Sequence, residues 1–99
     1  MSDILCSLGL CVRAGKLIAG FNVVCDAMKQ KPKDIIVFVT KDISQKTKKE
    51  VAFYADKYCV QLVSLPITAV EINRILHKDF VVLAITDIKL AGMIKSKCD

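Results

Sequence analysis

The stretch LGLCVRAGKLIAGFNVVCD, residues 8–26, sets the pattern of the chain. It contains the apolar end of a helix, a basic turn (Arg13-Ala14-Gly15-Lys16), a very short strand over 17–19, and Gly20 opening a second helix. Upstream, Ser2 suits an N-cap, and Ile4, Leu5, Leu8 and Val12 recur at helical spacing. A first helix is therefore expected from about Asp3 to Arg13, closed by Gly15. The second should run from Gly20 to about Gln30, with Val24, Ala27 and Met28 on one face and Lys-Pro-Lys at 31–33 ending it.

Downstream the same alternation continues. Residues 35–39, IIVFV, are a continuous apolar run, which marks a strand buried on both faces. Ser44 or Thr47 can cap a third helix, where Thr47-x-x-Glu50 fits a capping box. Val51, Tyr54, Ala55 and Tyr58 form its apolar stripe. Residues 60–64 read as a strand, Pro66 bends the chain, and Thr68 with Glu71 forms another capping box. The fourth helix carries Val70, Ile72, Ile75 and Leu76. After a strand at 81–85, Thr86 and Asp87 cap a last helix with Ile88, Ala91 and Ile94. Alternating strands and helices imply crossover connections, a largely parallel sheet and helices on both faces. The expected fold is α/β: a three-layer α/β/α sandwich with about four strands, forming one domain over residues 1–99.

The chain is 54% hydrophobic but only 6% aromatic, so its core should be aliphatic. Its net charge of +5 favours phosphate-bearing partners. The longest apolar runs are about half a membrane span. No positive n-region precedes a long apolar stretch, so a cytoplasmic protein with no membrane partner is expected. Five cysteines without CxxC spacing read as free thiols used as small core residues in a reducing compartment, with Cys98 the most exposed. His77 is the single histidine, and no metal site is expected.

Patterns that carry catalysis are missing. There is no GxxxxGK[ST], no GxGxxG after a strand and no GxSxG. Asp42 and Asp87 follow strands, where acids of α/β enzymes often sit, but each also suits a cap or turn. His77 reads as a structural residue at a helix end. Neither catalysis nor a cofactor is expected.

Binding is the stronger reading. Gly20 at a helix start, beside Arg13 and Lys16, reads as a compact anion site. The backbone N–H groups of Gly20, Phe21 and Asn22 would meet a phosphate with the help of the helix dipole. Residues 29–57 hold eight lysines against four acids, and Lys41 among them can flank the same edge. A solvated helix face accounts for Lys46, Lys48 and Lys49. Phe21 can either stack on a base or staple the helix to the core.

Leu8-Gly9-Leu10-x-x-Arg13-Ala14-Gly15-Lys16-Leu17-x-x-Gly20 resembles the opening of the small ribosomal proteins of the L-seven-Ae and L-thirty-e superfamily, closest to the bacterial YlxQ-type branch. The likeness continues through Val37-x-x-x-Lys41-Asp42-x-Ser44-x-x-Thr47-Lys48-Lys49 and Val82-x-Ala84-Ile85-x-Asp87. The resemblance implies an α/β/α sandwich with a four-stranded mixed sheet and no catalysis. It implies binding of structured RNA, commonly kink-turns, and association with ribosomes or other ribonucleoproteins. Carried over, the RNA-binding elements are Gly20, Phe21, Asn22, Val23 and Asp26 at the second helix, and Leu65, Pro66 and Ile67 in a loop before the fourth. Arg13, Lys16 and Lys41 would supply phosphate contacts.

Two positions depart from the kink-turn pattern. Val23 stands where a glutamate reads a guanine edge, a contact that contributes about 1–3 kcal/mol of discrimination. Asp26 replaces a phosphate-contacting lysine, removing one attraction and adding a repulsion. Asn73 and His77 stand where the family has glycines. The competing expectation is a protein–protein interaction module on the same fold, with Phe21 and Val23 as an apolar docking patch. A small anionic metabolite at the Gly20 turn is a third. A monomer is the default at this size.

Overall fold

A computed structural model describes residues 3–98. Its elements are α1 (Asp3–Arg13), β1 (Leu17–Ala19), α2 (Phe21–Gln30), β2 (Ile36–Val39), α3 (Gln45–Lys57), β3 (Gln61–Ser64), α4 (Ala69–Leu76), β4 (Val82–Ile85) and α5 (Ile88–Cys98). The expected Ser2 cap lies outside the described residues.

The strands form one sheet in the order β1-β4-β2-β3. Only β2 and β3 pair in parallel; β4 is antiparallel to both β1 and β2. The sheet is thus mixed, and the largely parallel arrangement expected from strand–helix alternation is not what forms. The physical reason lies in α4. This helix is eight residues long and packs on α1, so it does not carry the chain back along the sheet. The chain re-enters the sheet at the end where β3 left it, and β4 runs the opposite way.

Strand alternation separates two apolar layers. Ile36, Phe38, Leu83 and Ile85 join Leu5 and Leu8 of α1, Ile72 of α4, and Ala91 and Ile94 of α5. Val37, Val39, Val82 and Ala84 join Val24 and Met28 of α2 and Val51 and Ala55 of α3. The helices therefore cover both faces, three on one side and two on the other. Every residue of β2 and β4 is buried, as their unbroken apolar runs require. Val70 and Ile88, expected on buried helix faces, are instead 63% and 51% exposed. Each lies in the first turn of its helix, before the helix settles on its neighbours. Of the cysteines only Cys11 is buried; Cys25 and Cys98 are half-buried, and Cys6 and Cys59 are exposed.

Local chemistry fixes the element ends. Ser44, not Thr47, caps α3: its Oγ accepts from the Thr47 N–H at 3.2 Å, which leaves Thr47 inside the first turn. The Thr68–Glu71 capping box does form. Asp87 Oδ1 accepts from the N–H groups of Lys89 and Leu90, starting α5. At the end of α1, Lys16 N–H donates to Cys11 O and Gly15 N–H to Val12 O, with Gly15 at φ 69°. That is a Schellman closure with glycine in the left-handed position. The end of α3 repeats it, with Val60 N–H to Ala55 O and Cys59 N–H to Asp56 O. There Cys59 takes the left-handed position at φ 57°.

Candidate nucleic-acid interface

Three chain segments meet at one end of the sheet. The register places Ala19 opposite Leu83, Val39 opposite Val82, and Ser64 beside Val39. The C-terminal ends of β1, β2 and β3 thus surround the start of β4. Gly20 N–H donates to Val82 O at 2.9 Å, and Thr40 N–H to Val81 O at 3.0 Å. Lys41 N–H donates to Ile67 O at 2.9 Å, and Leu65 N–H to Val39 O at 2.7 Å. Gly20, Phe21, Asn22, Val23, Lys41, Leu65, Pro66 and Ile67 are gathered here by the topology.

Arg13 and Lys16 are not. Lys16 O accepts from Thr86 N–H at 2.8 Å, at the opposite end of the sheet, where β1 begins and β4 ends. The three-residue strand β1 separates Lys16 from Gly20, four residue steps or about 13 Å of extended chain. The compact anion site expected from their closeness in sequence does not form, because the intervening residues are a strand, not a turn. The Gly20 N–H is also engaged by Val82, so it cannot take a phosphate. The first-turn N–H groups of Phe21, Asn22 and Val23 remain, since Gly20 offers no side-chain cap and no acid lies in that turn.

Gly20 adopts φ 105° and ψ 142°, backbone that a side chain disfavours strongly. Asn22 and Asp26 are exposed on α2, and Val23 is 51% exposed. Phe21 is half-buried and packs edge-on against Tyr54, ring centroids 6.2 Å apart. It acts at least as a staple to α3.

The loop before α4 is firmly seated. Leu65 and Ile67 are core residues, 1% and 3% exposed, so of these three side chains Pro66 alone faces outward. Besides the Lys41–Ile67 hydrogen bond, Asp42 Oδ1 accepts from Ala69 N–H at 3.1 Å. The carboxylate of Asp42 thus caps α4 from another segment. The neighbouring Thr40 hydroxyl, the largest influence, acts with the Ala69 and Asp42 N–H groups and Lys41 to hold its pKa below the ordinary value, against desolvation, which ranks second and raises it. Thr40 Oγ1 is itself buried and makes no hydrogen bond of full geometry.

Sequence reasoning missed two residues here. A Cβ on Gly20 would lie 3.7 Å from Phe80 Cε1, so the Phe80 ring flanks this turn. Lys78 Nζ stands 5.5 Å from the Phe80 ring centroid, which brings a second cation beside Lys41's end of the sheet. Only the strand order reveals this, because residues 78–80 lead into β4, and β4 lies between β1 and β2. Elsewhere, burial first and nearby acids second raise the thiol pKa values of Cys11 and Cys25. Among the described residues no cluster of His, Cys, Asp and Glu could hold a metal. No described helix is long and apolar enough to cross a membrane.

A small α/β/α protein with a mixed four-stranded sheet, presenting a helix start and a neighbouring loop at one sheet end, is the class that fold and site define. The model of the ribosomal protein L7Ae/L30e/S12e/Gadd45 family matches residues 3–93, and the chain belongs to that family. Membership makes it a ribosomal-type protein of an RNA-binding, generally non-enzymatic family. Its fold is similar to that of a solved Bacillus halodurans protein of unknown function, with TM-score 0.84 and 22% identity over 97% of this chain and 96% of that one. No curated protein matches.

Proposed function

We propose that this protein is a non-catalytic, YlxQ-type RNA-binding protein that takes a kink-turn or related structured RNA at the Gly20 end of its sheet. It would act in association with the ribosome or another ribonucleoprotein. The observation that carries this reading is the convergence of the α2 start and the 65–67 loop, tied together through Val82, Val39 and Lys41. Phosphates would meet the N–H groups of Phe21 and Asn22, and Lys41 and Lys78 would add charge. Asn22 would reach a base edge, and Pro66 would cover the RNA from the second loop. Arg13 and Lys16 take no part in this surface, because they lie at the other end of the sheet.

Val23 and Asp26 occupy the α2 face where kink-turn selectivity would be read. The same exposed Val23 favours a second reading, a protein-docking surface that has replaced RNA recognition. A gel-shift titration separates the two. The protein is titrated against an intact kink-turn, one with its sheared G·A pairs disrupted, and ribosomal RNA, each at low and physiological salt. RNA binding that falls steeply with salt is the expected result. Binding to the intact kink-turn alone would assign that target, and binding to ribosomal RNA alone a changed one. No binding to any of the three would overturn the RNA reading in favour of protein docking.

A further inference from the structure

The outer face of α3 carries an unusual exposed aromatic residue. Phe53 is 63% exposed, in the middle of a helix rather than at its end. At 100° per residue, Lys46, Lys49 and Lys57 fall within about 40° of it on the helix surface, with Glu50 and Asp56 about 60° to either side. Phe53 meets Tyr54 edge-on with ring centroids 5.4 Å apart, and Tyr54 meets Phe21 at 6.2 Å. An aromatic row therefore runs from the first turn of α2 across to α3. Between its members lies an open hollow of about 330 Å³ lined by Phe21, Lys49, Glu50, Phe53 and Tyr54.

We infer that this face of α3 is a second RNA-contact site, at which an unpaired nucleotide lays its base against Phe53 in the hollow and its phosphates among Lys46, Lys49 and Lys57. The inference rests on the RNA-binding reading above and extends it beyond the Gly20 end of the sheet. Two features favour RNA over a protein partner. A stable protein interface needs an apolar core depleted in charge, whereas the helix surface around Phe53 carries three lysines against two acids. An exposed ring on a helix face that also bears lysines suits a nucleotide, since the ring takes the base and the cations take the backbone. The row is also continuous with the candidate interface through Phe21, so one RNA strand leaving the α2 start can reach it.

The test is a titration of wild type, Phe53→Ala, Phe53→Trp and the double variant Lys46→Gln/Lys49→Gln against ribosomal RNA over a range of salt concentrations. It is paired with photocrosslinking to thiouridine-substituted ribosomal RNA. Phe53 is exposed, so its replacement leaves the core intact. Phe53→Ala is expected to bind at least about fivefold more weakly with an unchanged salt slope, and Phe53→Trp to keep wild-type affinity. The double lysine variant is expected to lower the slope, and crosslinks are expected within α3. If Phe53→Ala binds as wild type and crosslinks fall only around Gly20, Lys41 and Pro66, this inference is overturned while the RNA-binding reading stands. Phe53 would then belong to a protein contact. If wild type retains no RNA, both fall.

Discussion

Gly20 fixes the turn through its backbone. Its φ of 105° excludes a side chain on conformational grounds, while the space around it does not, since an added Cβ would only touch Phe80 at ordinary contact distance. Gly20→Ala is therefore expected to lower stability by about 1–3 kcal/mol, measured by urea unfolding; an unchanged midpoint would mean the turn relaxes freely. Cys59 and His77 pose the reverse case, for both hold φ near 60° without being glycine. Cys59→Gly should raise stability by roughly 0.5–1 kcal/mol, the relief of left-handed strain less the added freedom of the unfolded chain. A lower unfolding midpoint would show that the exposed cysteine side chain contributes more than its backbone costs. The sequence showed His77 in place of a family glycine, and the structure keeps the left-handed backbone that glycine would favour. Cys59 gave no such signal, because its role depends on where α3 stops.

Elements were legible wherever apolar periodicity was strong. The runs at 35–39 and 81–85 gave β2 and β4 to within a residue, and Thr68 with Glu71 announced the start of α4. Strand direction was not legible in the periodicity, because it depends on α4 packing against α1 rather than along the sheet; the mixed sheet that forms is the one the family resemblance implied. The cap supplied by Asp42 was equally hidden: it spans 27 residues of sequence. Thr68→Ala should cost about 0.5–2 kcal/mol, read from thermal or urea unfolding. Asp42 adds a pH dependence whose sign is fixed. Its pKa is lowered by folding, so its contribution is present above the ordinary carboxylate pKa and is lost as pH falls through the folded value. Asp42→Asn should therefore lose less stability than wild type on acidification over that range. Parallel acid titrations of the two proteins would contradict the cap.

At the scale of the whole molecule, the two ends of the sheet present different cations. Lys41 lies at the end where the α2 start and the 65–67 loop meet, with Lys78 flanking it beside Phe80; Arg13 and Lys16 lie at the other. Lys41→Glu with Lys78→Glu should weaken RNA binding strongly and reduce the magnitude of the salt slope by about two. Arg13→Glu with Lys16→Glu should change both much less. Equal effects would move the interface off the Gly20 end. Arg13, Lys16 and Gly20 lie within a few residues in sequence, but the strand between them makes closeness along the chain differ from closeness in space. Lys41 is one of several lysines the charge pattern allows at that edge, the 65–67 loop emerges only through the family resemblance, and Lys78 not at all, since a loop's neighbours are set by strand order.

The strand order also governs how the chain comes into being. β4 is the last strand in sequence yet lies between β1 and β2, and β1 pairs with nothing else. A nascent chain that has emerged only through α4 can join β2 to β3, but it leaves β1 detached and one edge of β2 open. Both apolar layers lack their Val82–Ile85 contribution until then. Closure of the sheet is thus deferred until β4 itself has been made. Interrupted translation would release a fragment with a bare apolar edge, the kind of surface that recruits other chains.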